Sequence, residues 1–275
     1  MRTESVVEAA GRIRLHRQVD PRPVALFEGE PDRLVFERTV SRQGATCFVL
    51  GPRYLVLEVA STLHEWGLDR AVCIVDRDFD DVVAQFEVRG VPIAAYDGGD
   101  LEHMLWESSA LDDLLEQAGN RRKVQSEGGV NRVREMIAPC VATLAAIRVA
   151  NAEGEWGLNF RNLNLARLID QATLTIKRQA LCDAVHHAGA HVKKRDVYEA
   201  ADAGRLKPCP QTGEPRIRGK DAVGVLSAAL RRRIGSATAQ QSAPDRLAEM
   251  LRLAATSDAV AKTVWRQTIR DLIGL

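Results

Sequence analysis

Residues 71–80 read Ala-Val-Cys-Ile-Val-Asp-Arg-Asp-Phe-Asp, an apolar run followed by aspartates at alternate positions, Asp76, Asp78 and Asp80. A short, unbroken apolar run bounded by polar residues has the pattern of a strand buried on both faces, as in a parallel sheet. Carboxylates crowded just past its end repel one another unless a cation neutralises them. A hard divalent ion such as magnesium prefers carboxylate oxygens and keeps several waters. In open α/β sheets, ligands bind at the carboxyl ends of the strands. The run therefore constrains both the fold and the place of the site.

The surrounding sequence extends the pattern. Val24–Phe27 is a second short apolar run, entered through Pro21 and Pro23 and closed by Glu28-Gly29-Glu30-Pro31-Asp32. Pro31 suits the first turn of a helix, predicted over 32–42. Residues 46–50 form another strand candidate, followed by an amphipathic helix over 55–66, and 91–95 a fourth. A helix capped near Asp100 is expected to run through Leu101, Leu105, Leu111, Leu114 and Leu115. Strands separated by helices imply a parallel sheet with right-handed crossovers. Beyond residue 120 the patterns are helical, over 130–149, 161–187, 192–203, 218–234 and 244–273. The expected fold is α/β, a mostly parallel, Rossmann-like sheet flanked by helices over residues 22–120. A mainly helical region over 121–275 follows, and residues 1–21 form an N-terminal extension.

Bulk properties limit the partners. With 38 basic and 37 acidic residues in 275, the formal net charge is +1, so polyanion binding must come from local patches. Cys47, Cys73, Cys140, Cys182 and Cys209 are scattered without a CxxC pair, as expected of reduced thiols. No apolar run approaches the roughly 20 residues of a membrane helix, and the N-terminus lacks the apolar core of a signal peptide. A cytoplasmic protein without membrane contact is the expectation.

Four acidic residues align at predicted strand ends: Glu28 after the first strand, Asp76 and Asp78 after the third, and Glu102 in the helix after the fourth. Convergence of such carboxylates on two ions roughly 3.5–4 Å apart would clamp the attacking and leaving oxygens of a phosphodiester. Gly29 allows a tight turn after Glu28, and Asp32 is placed to cap or orient it.

Phe27-Glu28-Gly29-Glu30-Pro31-Asp32 resembles the E-G-x-x-D start of a TOPRIM domain, and Val75-Asp76-Arg77-Asp78 its D-x-D strand end. Together with Asp100-Leu101-Glu102 and Ile217-Arg218-Gly219-Lys220-Asp221, the set resembles a family of standalone bacterial TOPRIM proteins. That family includes the effector (AriB) of the PARIS anti-phage systems. The resemblance spans roughly residues 22–235. It implies a TOPRIM-like fold with Glu28 as catalytic glutamate and metal ligand. It also makes Asp76 and Asp78 the metal pair, with Glu102 an additional metal-site carboxylate. Asp32, Asp80 and Lys220 are accessory candidates. The implied activity is magnesium-dependent (or manganese-dependent) cleavage of nucleic acid, RNA and tRNA included, by a toxic defence effector held by an ABC-type ATPase partner. The alternatives are a non-catalytic TOPRIM subunit that binds a metal-nucleotide or a protein partner, and an unrelated α/β hydrolase or phosphatase. A homodimer is a further expectation, from the generous apolar stripes of the helical half.

Other signals have bland readings beside them. Arg121, Arg122 and Lys123, placed on a loop, are candidate nucleic-acid contacts. Arg231-Arg232-Arg233 and Lys193-Lys194-Arg195 fall on predicted helices, where consecutive residues point different ways and a solvated face is the default. Arg77 is expected to pair with a carboxylate. Cys182, His186, His187 and His191 invite a zinc reading, but their spacing does not converge easily on one tetrahedral ion. Trp66, Trp106, Trp156 and Trp265 read as core or interface residues.

Overall fold

The computed structural model describes residues 5–160, 163–186 and 190–275. The chain opens with α1 (Val6–Val19), then β1 (Val24–Phe27), α2 (Glu30–Thr39), β2 (Thr46–Val49), α3 (Arg53–Glu65), β3 (Ala71–Val75), α4 (Val82–Val88) and β4 (Ile93–Ala95). Helices follow: α5 (Leu101–Trp106), α6 (Ala110–Ala118), α7 (Arg121–Ser126), α8 (Val130–Gly154), α9 (Leu165–Leu168) and α10 (Arg178–Val185). After these come α11 (Lys194–Ala203), α12 (Gly219–Arg232), α13 (Pro244–Leu253), α14 (Ser257–Val260) and α15 (Val264–Ile273). None of the described helices is long and apolar enough to cross a membrane.

Two compact units share this chain. One comprises residues 1–77, 81–101 and 255–275; the other comprises 78–80 and 102–254. Helix α1 belongs to the sheet unit.

In the sheet unit the four strands run in the order β2-β1-β3-β4, all parallel, so the fold is α/β as expected. The apolar runs of β1 and β3 are buried nearly throughout, which is why they lack the alternation of a half-exposed strand. Leu26, Cys73 and Val75 join a core with Ala9, Ala10 and Ile13 of α1 and Val56, Val59 and Leu63 of α3. Phe27, the next residue along β1, packs edge-on against Phe36 of α2 with ring centroids 5.2 Å apart. The C-terminal segment packs on the sheet through α15 and is also anchored by a carboxylate: Asp97, just after β4, accepts hydrogen bonds from the N–H groups of Val264 (2.9 Å) and Trp265 (2.8 Å). Those are donors a helix start leaves unmatched. The Trp265 ring then lies 5.5 Å from Tyr96.

In the helical unit, α12 is buried from Asp221 to Leu230 and packs on α8 and α9. Arg148 of α8 meets Asp221 in a bidentate pair, Nε to Oδ2 at 2.6 Å and Nη2 to Oδ1 at 2.9 Å, both residues buried. The helix expected over 161–187 is instead α9 and α10 with an Ile169–Ile176 antiparallel bridge between them, and residues 161–162 and 187 lie outside the described residues. Residues 244–273, read as one helix, form α13, α14 and α15.

Removing one partner of a buried ion pair strands the other charge. Asp221→Ala should cost about 3–5 kcal/mol in chemical denaturation, whereas Asp221→Leu combined with Arg148→Met should recover most of that loss.

Candidate functional site

Parallel pairing of β1 with β3 sets Phe27 beside Ile74, so the residues leaving the two strands emerge at neighbouring points of one sheet edge. Glu28 and Asp76 are those residues. The Glu28 carboxylate reaches across, and its Oε1 accepts a hydrogen bond from the Asp76 N–H at 3.0 Å. The Asp76 carboxylate in turn accepts from the N–H of Leu101, Oδ1 to N at 3.4 Å. Arg53, at the start of α3, donates through Nη1 to the carbonyls of Asp76 (3.4 Å) and Arg77 (3.1 Å). Both carboxylate residues are half-buried. Beneath them the fully buried Cys73 thiol has its pKa raised well above the usual value, first by burial and then by the Glu28 charge.

The turn after Glu28 is tight. A Cβ on Gly29 would lie 3.2 Å from Asp32 Oδ2 and 3.3 Å from Pro31 Cδ. Asp32 occupies the first turn of α2 and accepts from the Tyr96 hydroxyl at 2.9 Å, so it is tied to the end of β4. Arg77 is buried and pairs with Glu87 at 2.7 and 3.2 Å, the carboxylate partner expected of it. Tyr96 and Arg53 were not singled out in the sequence. No motif marks them, since each acts through tertiary contacts with the strand ends.

Asp78 and Asp80 belong to the helical unit. Asp78 has φ of 50°, a left-handed conformation that Asp tolerates better than most residues. Arg216 Nη1 donates to the carbonyls of Asp78 (3.4 Å) and Asp80 (3.1 Å), and Lys207 Nζ to that of Phe79 (3.4 Å). Phe79 packs with Ala145 and Val149. This three-residue stretch is thus anchored by cations at its backbone.

Glu102, expected as a metal-site carboxylate, is buried in an ion pair with Arg252. Its charge is matched by a guanidinium distant in sequence, a partner no local pattern reveals. Gly219 lies against the same place: a Cβ there would fall 2.2 Å from the His103 nitrogen and 2.6 Å from Glu102 Cβ. The glycine of Gly219-Lys220-Asp221 therefore serves close packing, Asp221 the buried pair with Arg148, and Lys220 is exposed.

Arg121, Arg122 and Lys123 form a helix, α7, rather than the expected loop. Asn120 caps it by accepting from the Lys123 N–H at 3.2 Å. Lys123 Nζ donates to the carbonyls of Arg232 (3.1 Å) and Gly235 (2.6 Å), matching acceptors at the end of α12. Arg121 and Arg122 are exposed. In the cysteine–histidine segment, the His186 ring bonds the Val192 carbonyl and burial pushes the Cys182 thiol up to about 11; His187 lies outside the described residues.

Among the described residues, no three or more His, Cys, Asp or Glu side chains gather to hold a metal ion. The pair Glu28 and Asp76 still suits magnesium, which binds through one or two carboxylates and retains waters.

His103, next to Glu102, carries a pH consequence. Burial pushes its pKa down to about 4, below the ordinary value near 6.5. The unfolded chain takes up this proton first, so the contribution to stability is complete above about pH 6.5 and is lost as pH falls from there through 4. His103→Gln should flatten the decline of stability across that window, as followed by urea denaturation at a series of pH values. Compared with known proteins, the chain matches no family model, no curated protein and no solved structure.

Proposed function

We propose that this chain is a TOPRIM-type, magnesium-dependent nuclease, with RNA, tRNA included, as its substrate class. Its biological role in this reading is that of a toxic anti-phage effector controlled by an ABC-type ATPase. The observation that carries the reading is the meeting of Glu28 and Asp76 at adjacent carboxyl ends of parallel strands, where α/β sheets bind ligands. The all-parallel sheet and the E-G-x-x-D and D-x-D motifs at its strand ends support the same assignment.

In this mechanism Glu28 accepts the proton of the attacking water and returns it to the leaving oxygen. The hydrogen bond from the Asp76 N–H fixes the orientation of its carboxylate. Asp76 and Glu28 would hold the metal. When bound, magnesium supplies charge neutralisation at the phosphate and a more acidic water. Arg53 steadies the backbone that carries Asp76.

A second reading, a non-catalytic subunit using the acidic edge to bind a metal-nucleotide or a protein, is favoured by Glu102. A carboxylate buried in an ion pair with Arg252 is a structural rather than a ligating arrangement.

The two readings separate in one experiment. Purified wild type, Glu28→Gln and Asp76→Asn are incubated with total RNA and tRNA in magnesium, in manganese and in EDTA. The nuclease reading expects cleavage by wild type with either metal, none in EDTA, and a loss of about 10²–10⁴-fold in Glu28→Gln at an unchanged melting temperature. Equal cleavage by all three proteins, or none by wild type alone or mixed with its ATPase, contradicts it.

A further inference from the structure

The helical unit holds a second polar centre that the strand-end carboxylates do not use. An open cavity of about 890 Å³ is bounded by α8, α9, α12 and the start of α13. That is within the range of about 300–1,000 Å³ typical of small-molecule sites, and far more than a lone phosphate needs. Its lining carries Arg148, Arg218, Lys220 and Arg231 against two carboxylates, Asp221 and Asp245.

The charges do not cancel. Arg148 and Asp221 neutralise each other in their buried pair, which leaves three cations facing one carboxylate. Arg231 is held in place by the Ser242 hydroxyl at 3.1 Å and the Ser227 hydroxyl at 3.5 Å. The first turn of the 14-residue α12 forms part of the same wall and adds the positive end of its dipole. Phe160 supplies a half-buried ring, stacked on the Arg148 guanidinium with Cζ 4.0 Å from its centroid. Clustered cations that can bond phosphate oxygens, beside an aromatic ring, are the chemistry that recognises a phosphate joined to a base.

We propose that this cavity binds a nucleotide phosphate, belonging either to a free nucleotide or to a nucleic-acid strand, with Arg218 and Lys220 as the phosphate contacts and Phe160 beside the base. The site lies wholly within the helical unit and does not depend on the nuclease reading.

Isothermal titration calorimetry on the full chain tests it with ADP, a five-residue single-stranded RNA and adenosine as probes, in EDTA. Glu28→Gln serves as the background, so the RNA survives and a failed nuclease assay leaves this measurement intact. The expected result is that ADP or the RNA binds at least about tenfold more tightly than adenosine. Arg218→Ala with Lys220→Ala should then weaken that binding at least about tenfold at an unchanged melting temperature. Binding of ADP alone assigns the site to free nucleotides; binding of the RNA alone assigns it to a strand. The proposal is overturned if neither ADP nor RNA binds, if adenosine binds as tightly as ADP, or if the double variant keeps the original affinity.

Discussion

The parallel pairing of β1 with β3 is the constraint on which the acidic edge depends. Because Phe27 and Ile74 are register partners, Glu28 and Asp76 leave the sheet side by side, and the Glu28 carboxylate can take the Asp76 N–H. The pairing is secured from both faces of the sheet. Leu26, Cys73 and Val75 pack into the α1–α3 core, while Phe27 sits against Phe36 of α2. A one-residue slip between the two strands would exchange these faces and separate the carboxylates. The geometry of the site is therefore a by-product of burying two short apolar runs.

Charge inside this protein is managed by pairing, at a desolvation cost that good geometry offsets. Arg77, between Asp76 and Asp78, is turned inward onto Glu87. Glu102 is matched by Arg252, and Asp221 by Arg148. The carboxylates of Glu28 and Asp76 each accept from a backbone N–H group of the sheet unit.

The four strands were legible because continuous apolar runs ended by Gly, Pro or acidic residues fit a buried strand better than a helix of such short length. Glu28 and Asp76 were legible for the same reason, being the first residues beyond two such runs. What was hidden depends on long-range contacts. The capping of α15 by Asp97 ties the last 21 residues to the sheet unit, and nothing near either end announces it. The Glu102–Arg252 pair is hidden in the same way. Arg121, Arg122 and Lys123 looked like a loop because they follow Gly119 and precede Gly128 and Gly129, yet the Asn120 cap starts a helix there. Gly219 was visible as part of a motif, but its reason, the backbone of His103 2.2 Å from where a Cβ would sit, needed the packed structure.

Glu28 and Asp76 forming one metal-binding edge of the sheet unit is the central claim. Anomalous diffraction from crystals of the full chain soaked in manganese tests it most directly. The predicted result is a single strong peak bonded to the carboxylates of Glu28 and Asp76, absent in the Asp76→Asn variant. No peak there at saturating manganese, or a peak that persists unchanged in Asp76→Asn, would contradict it.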